Sequence, residues 1–303
     1  WFGNSFTNAT CCGGTRSVPN ILSDIAMAAG RPAPRNINAS VNGQSLQGHL
    51  NTNTGVITTA IPMGEKWEHV VLQDFSTQPT HIGNLALHRS SSVGLYNAVA
   101  AHSPNVVPIM YETWARGPGH SFYTGGSPSF PGGPTQMQQE LRDGYQLSTA
   151  DINAVAGSNV AKLAPAGDAW ENAGVALSLY AGDIYHAQNR GSLLSALVLY
   201  GTIYDDPTTS DINLSSVLTT LGISQVDGAW LTAVADATLA AAPAVPEPAS
   251  IAMMMLAVAI SGMVRRVRRQ RGRRLQLCCK VWENENCFGG APAGRDRCPA
   301  PMF

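Results

Sequence analysis

The chain has 303 residues, 44% of them hydrophobic, enough for one sizeable core with room for appendages. Charged residues make up only 13%, a composition that suits a secreted protein with polar, weakly charged surfaces and excludes a nucleic-acid binder. The net charge of −1 averages an acidic body, 9 Lys/Arg against 17 Asp/Glu over 1–250, and a basic end, 10 against 3 over 251–303.

In chain order, Trp1-Phe2 reads as the end of a first β-strand whose beginning is missing. With neither an initiating Met nor an apolar leader, the chain has lost a signal peptide or is a fragment; the abrupt start just before a motif favours the fragment. Of the six Cys, only Cys11 and Cys12 fall in the body, and a bond between neighbours is sterically unfavourable, so none is expected. The other four lie beyond 277, with no zinc-like spacing. Pro19 to Ala29 reads as a helix, with Ile21, Leu22, Ile25 and Ala29 on one face and Gly30 as its stop. Short apolar runs at Val70–Leu72, Val106–Met110 and Val160–Leu163 read as buried strands. Helical patterns at 80–102, 135–157, 168–181 and 189–204 alternate with them. That alternation implies an α/β fold with a parallel sheet covered on both faces. The Gly/Pro/Ser-rich stretch 115–134 reads as a long loop at the rim of a site, against a plain surface insertion. Residues 205–240 complete the domain with small helices. An Ala/Pro-rich linker then occupies 241–250.

Hydrolysis of an ester by an activated serine needs a nucleophile, a base, a group to orient the base, and donors for the oxyanion. Gly3-Asn4-Ser5-Phe6-Thr7 offers a serine on the turn leaving a parallel strand, at the edge of the sheet where sites form. Gly182-Asp183-Ile184-Tyr185-His186 offers a carboxylate and an imidazole three residues apart on one loop. Such an Asp can accept from one ring nitrogen while the other faces a serine hydroxyl. Asp74 is a rival carboxylate, and His49, His69, His81, His88, His102 and His120 are rival bases, each more simply read as surface or locally bonded. Trp114, after a strand end, is a packing residue or a platform for a sugar ring. Asp168 reads as an N-cap or first-turn acid.

Together the two segments resemble the SGNH/GDSL hydrolase superfamily, with its early G-[DN]-S and late D-x-x-H motifs. Val71-Leu72-Gln73 and Pro165-Ala166-Gly167-Asp168-Ala169-Trp170 add to the resemblance, which spans about 1–205. It implies a three-layer α/β/α sandwich of flavodoxin-like topology with a central parallel sheet. It also implies a triad of Ser5, Asp183 and His186, ester hydrolysis of acyl or sugar-acetyl groups, and no cofactor or metal. The oxyanion donors it implies are the Ser5 N–H, the Gly43 N–H and a side chain after the third strand. The usual G-x-N-D is absent there, and Gln73 is the substitute, since its amide can donate.

Beyond the linker, Pro246-Glu247-Pro248 precedes an apolar run, Ile251 to Val264, and an Arg cluster from Arg265. The 16 residues between Pro248 and Arg265 would reach about 24 Å as a helix, short of a usual span unless arginines snorkel. The pattern resembles a PEP-CTERM sorting signal. That implies a transmembrane helix at 251–264 and export across the inner membrane of a Gram-negative bacterium; 265–303 reads as a basic, disordered cytoplasmic tail, of which 271–303 continue past the point where such signals end. The resemblance further implies an exosortase-type processing partner acting near Pro246-Glu247-Pro248, and release to the cell surface or medium. The function expected is an exported esterase of acyl or acetylated-carbohydrate substrates. The alternative is a non-catalytic cell-surface module that binds polysaccharide on the same fold; the same machinery would also serve a peptide or lipid hydrolase.

Overall fold

The computed structural model describes residues 1–241. The linker expected over 241–250 begins inside a helix at Ala241; its remainder, the Pro246-Glu247-Pro248 motif, the transmembrane helix expected at 251–264 and the basic tail lie outside the described residues. Among the described residues no helix is long and apolar enough to cross a membrane.

After the extended start comes a single helical turn, α1 (Ser5–Asn8), then α2 (Val18–Ala28) with a proline in its first turn. α3 (Leu46–Thr52) is capped by Ser45, whose hydroxyl accepts from the Gly48 N–H at 3.1 Å. α4 (Val56–Thr59) leads to the first strand, β1 (His69–Leu72). α5 (Leu85–His102) starts later than the pattern at 80–102 suggested, because the Asn84 side chain caps it by accepting from Leu87 N–H at 3.0 Å. β2 (Val107–Tyr111), α6 (Gly133–Ala156) and β3 (Lys162–Ala164) follow. The helix expected over 168–181 is shorter and earlier: α7 is Ala166–Asn172. Gly174 and Val175 both take left-handed backbone (φ 72° and 52°), which stops the helix, and one 3-10 turn at Leu177–Leu179 follows. α8 (Asn189–Tyr204), α9 (Ser215–Leu221) and α10 (Gln225–Ala241) complete the body.

The three strands are parallel in the order β1-β2-β3. Trp1–Gly3 extends the sheet beyond β1: Phe2 N–H donates to Val71 O and Gln73 N–H to Phe2 O, both at 2.9 Å. Its other edge carries 37–41, through Trp1 N to Ile37 O at 2.9 Å, Ala39 N–H to Trp1 O at 3.0 Å and Val41 N–H to Gly3 O at 3.1 Å. By position along the chain, the extended segments are therefore ordered second, first, third, fourth, fifth, a doubly wound arrangement.

Alternating side chains send the strands into two separate cores. Val71, Ile109 and Tyr111 pack with residues of α2, α8 and α9, while Val70, Leu72 and Met110 pack with Leu46, Leu95, Tyr145 and Ile152 from α3, α5 and α6. Helices thus cover both faces of a parallel sheet. α8 is enclosed all round, every residue from Leu193 to Tyr200 having no exposed surface, as a run apolar but for Ser195 requires. The carboxyl ends of Trp1–Gly3, β1 and β2 come together at one edge, and the turns leaving them build the site.

Candidate active site

Gly3 is the only residue that fits the first turn, since a Cβ there would lie 2.3 Å from Thr7 Oγ1 and 2.9 Å from Gln73 Oε1. Its carbonyl accepts from the fully buried His49 Nε2 at 2.7 Å, while Asn53 Nδ2 donates to His49 Nδ1 at 3.1 Å. Burial pulls the His49 pKa down, with the Gly3 bond acting against that, so His49 serves as a neutral strut. Asn4 caps α1: its Oδ1 accepts from Phe6 N–H at 3.1 Å, and its Nδ2 donates to Gln44 O at 3.1 Å and Asp74 O at 3.3 Å. Ser5 therefore opens a short helix rather than a plain turn, and its own N–H donates to nothing among the described residues.

His186 Nε2 lies 3.0 Å from Ser5 Oγ across 181 positions of sequence, and Asp183 Oδ2 lies 2.6 Å from His186 Nδ1. The other Asp183 oxygen accepts the backbone N–H groups of Tyr185 at 3.0 Å and His186 at 2.9 Å. Burial pushes the Asp183 pKa up, but the His186 ring and those two N–H bonds outweigh it and hold the group below the usual carboxylate range. The loop is fixed from beneath: Ile184 takes φ 53°, rare for a β-branched residue and costing on the order of 1–3 kcal/mol. Its carbonyl is tied to Gly117 N–H at 2.8 Å. The Ser–His–Asp chain is one in which a hydroxyl proton can move to Nε2 while a carboxylate holds the ring.

The oxyanion expectations divide. Gly43 takes φ 74° in an exposed turn beside α1, held by Asn8 Nδ2 on Asn42 Oδ1 at 3.1 Å and Asn4 Nδ2 on Gln44 O; its N–H donates to nothing among the described residues. Gln73 does not fit its expected part. It is fully buried, its Oε1 accepts from Asn4 N–H at 3.0 Å and Thr7 Oγ1 at 2.9 Å, and its Nε2 donates to Asp74 O. The amide is consumed in bracing the Gly3–Thr7 turn, so its donor faces inward. Trp114 is not a sugar platform: it has no exposed surface, stacks on Phe6 at 4.4 Å and on Trp170 at 4.1 Å, and donates through Nε1 to Tyr185 O at 3.1 Å.

Asp74 is likewise structural. Its Oδ1 accepts from Leu46 N–H at 2.8 Å and Phe75 N–H at 2.7 Å, and its Oδ2 bonds the fully buried His88 Nδ1 at 2.9 Å. Asp168 sits in the first turn of α7 and pairs with Arg142 at 2.7 Å. The adjacent cysteines, expected to stay apart, form a Cys11–Cys12 disulfide; they lie in the tight turn after Ala9, whose φ of 54° reverses the chain. Sequence reasoning missed Arg116, a buried cation over the Tyr185 ring at 3.9 Å; nothing in its Gly-rich surroundings signalled burial. The 115–134 loop is part rim and part core, since Gly117 touches Ile184 while Phe130 is fully buried with Met137 and Leu141. A cavity of about 400 Å³ lined by Trp1, Leu22, Trp67 and His69 lies at the amino ends of the strands and touches none of Ser5, Asp183 or His186. Among the described residues no group of three or more His, Cys, Asp and Glu could hold a metal.

Residues 244–269 match the model of the PEP-CTERM protein-sorting motif, which supports export. No curated protein matches the chain. Among solved structures, a DUF4886 family protein from Bacteroides uniformis is 17% identical, with a TM-score of 0.58 over 81% of this chain and 95% of its own. A protein from Slackia heliotrinireducens described as an SGNH hydrolase is 26% identical, with a TM-score of 0.49 over 67% of this chain and 96% of its own. A family 3 carbohydrate esterase from Clostridium thermocellum is 16% identical, with a TM-score of 0.47 over 67% and 93%. The chain carries a PEP-CTERM protein-sorting motif over 244–269, and its α/β body shares its fold with the DUF4886 family protein.

Proposed function

We propose that the protein is an exported serine esterase of the SGNH type that cleaves acyl esters, acetyl groups on polysaccharide being the natural substrate class. The observation that supports this best is the hydrogen-bonded chain Ser5–His186–Asp183 at the carboxyl edge of a parallel sheet. The doubly wound strand order and the two helical layers are consistent with the flavodoxin-like sandwich of that superfamily.

In the first half-reaction Ser5 Oγ attacks the ester carbonyl carbon as its proton passes to His186 Nε2. The carbonyl oxygen becomes an oxyanion facing the Ser5 and Gly43 N–H groups. Collapse breaks the carbon–oxygen bond, and His186 returns the proton to the departing alcohol. Water then enters, gives a proton to His186 and attacks the acyl-enzyme; the acid leaves and Ser5 recovers its proton. Asp183 holds the ring in the needed tautomer and stabilises the imidazolium.

The body over 1–240 is the hydrolase domain in this reading. The sorting signal anchors it transiently by 251–264 until an exosortase-type enzyme removes the tail near Pro246-Glu247-Pro248. The purified protein is expected to hydrolyse p-nitrophenyl acetate, and Ser5→Ala to lower kcat by more than about a thousandfold. Unchanged turnover in that variant removes the proposal. A panel of acetylated polysaccharides against short acyl esters then identifies the substrate.

A further inference from the structure

With Gln73 facing inward, an oxyanion on Ser5 has two backbone donors and lacks a side-chain one. The wall beside His186 holds an unused pair. Arg116 is only 5% exposed, with its guanidinium carbon 3.9 Å from the Tyr185 ring centre, 5.6 Å from Phe6 and 5.7 Å from Phe122. Phe6 and Tyr185 are the chain neighbours of Ser5 and His186, and their rings lie 5.7 Å and 3.8 Å from the His186 ring. The cation is therefore about one aromatic ring from the reacting groups. No carboxylate lies within ion-pair distance of it among the described residues, and its buried Nη1 has no partner there. Burial lowers its pKa to about 10, which leaves it charged at neutral pH. A cation enclosed without an ion-pair partner is costly; the Asp183 carboxylate, beyond ion-pair distance, favours its charge, and a site that develops further negative charge during its reaction accounts for the rest.

The side-chain hydrogen bond that Arg116 makes is informative: Nη2 donates to Ser76 Oγ at 2.7 Å. Ser76 is 3% exposed and lies two residues after Asp74, whose carbonyl is tied to Asn4 beside the nucleophile. A guanidinium only donates, so Ser76 Oγ accepts, and its own hydrogen meets no acceptor among the described residues. The result is a hydroxyl polarised by a positive charge with its donor free, on the loop that leaves β1 and is fastened to the Ser5 turn.

Resting on the esterase reading above, we propose that Ser76 donates its hydroxyl hydrogen to the oxyanion as the side-chain member of the hole, and that Arg116 is the positioning residue that orients and polarises it. No proton is transferred; the hydrogen bond forms as the carbonyl oxygen gains charge.

The test compares wild type, Ser76→Ala, Ser76→Thr and Arg116→Gln on p-nitrophenyl acetate, with a boronic acid that mimics the tetrahedral adduct as inhibitor. Ser76→Ala is expected to lower kcat about a hundredfold, leave KM within about threefold, and weaken the boronic acid by the factor lost in kcat/KM. Ser76→Thr keeps the hydroxyl and should retain most activity. Arg116→Gln should fall between, with its loss in kcat. Should Ser76→Ala fail to fold, Ser76→Cys fills the position with a weak donor and carries the same expectation. Unchanged kcat and boronic-acid affinity in Ser76→Ala overturn the proposal, as does an equal loss in Thr and Ala variants. If wild type turns over, Ser5→Ala is dead and Ser76→Ala is unaffected, this inference alone fails. If wild type cleaves no ester, both readings fail.

Discussion

Glu112 shows what a single buried side chain does to this protein's response to pH. It has no exposed surface; Gln138 Nε2 donates to its Oε1 at 2.5 Å, and its Oε2 has no conventional acceptor-to-donor partner. Burial raises its pKa well above the usual 4.5, and the neighbouring Asp168 raises it further, with Arg142 and Gln138 acting against. Protonation removes the charge that burial and Asp168 both disfavour. The folded chain thus keeps a proton that the unfolded chain releases above about pH 4.5, so stability falls as pH rises through that window until the folded group ionises too. Glu112→Gln mimics the protonated form. It is expected to melt higher than wild type at pH 7–8, with the difference vanishing towards pH 4; a loss that is largest at pH 7–8 and fades towards pH 4 would mean that the carboxyl is ionised and needed. At the same scale, Gly3→Ala forces a Cβ into Thr7 and Gln73, so it should lower stability by about 1–3 kcal/mol and cost activity out of proportion, by displacing Ser5. Ser5, Asp183 and His186, which the structure brings together, were picked out in sequence because the proposed chemistry demands those residue types and they stand in two short motifs. Gln73 was misread because an amide has two ends, and only coordinates tell that its donor end braces a turn.

Elements were legible where one force dominates. The parallel strands and α8 declare themselves as apolar runs, and both appear close to their expected bounds. The segment 168–181 misled because its composition is helical throughout, while the stop depends on left-handed backbone at Gly174 and Val175, and a valine there carries no sequence signal. Trp114 carried two readings, and the packing one holds. Its position after β2 fits a ligand platform, but three aromatic layers, Phe6, Trp114 and Trp170, stack face to face and link α1 to α7 behind the site. That stack transmits packing to function, since Trp114 also holds the Tyr185 carbonyl. Trp114→Ala should destabilise by about 3–5 kcal/mol and lower kcat more than KM by loosening the Asp183–His186 loop; Trp114→Phe should recover much of the stability without the Nε1 bond. Urea denaturation with parallel kinetics distinguishes packing from the hydrogen bond.

At the scale of the whole molecule, the charge asymmetry bears on the proposed export. The body over 1–250 is acidic and the end over 251–303 is basic; under the proposed export, the arginines would hold that end on the cytoplasmic side. The sorting motif at 244–269 straddles that boundary. All residues of the proposed site lie well upstream, with the nearest, His186, in contact with Ser5, Phe6 and Tyr185. Processing at the motif should therefore release a body whose catalysis is unchanged. In a Gram-negative host with an exosortase, replacing Pro246, Glu247 and Pro248 together by alanine is expected to leave full-length protein in the inner-membrane fraction, with esterase activity on the periplasmic side. Wild type should yield a shorter species in the medium or on the cell surface, of equal kcat per mole. If the triple variant is shortened and released like wild type, the motif is not the processing address. If the shortened wild-type species has lost activity, residues beyond the motif contribute to the site, and the proposed separation of body from sorting signal is wrong.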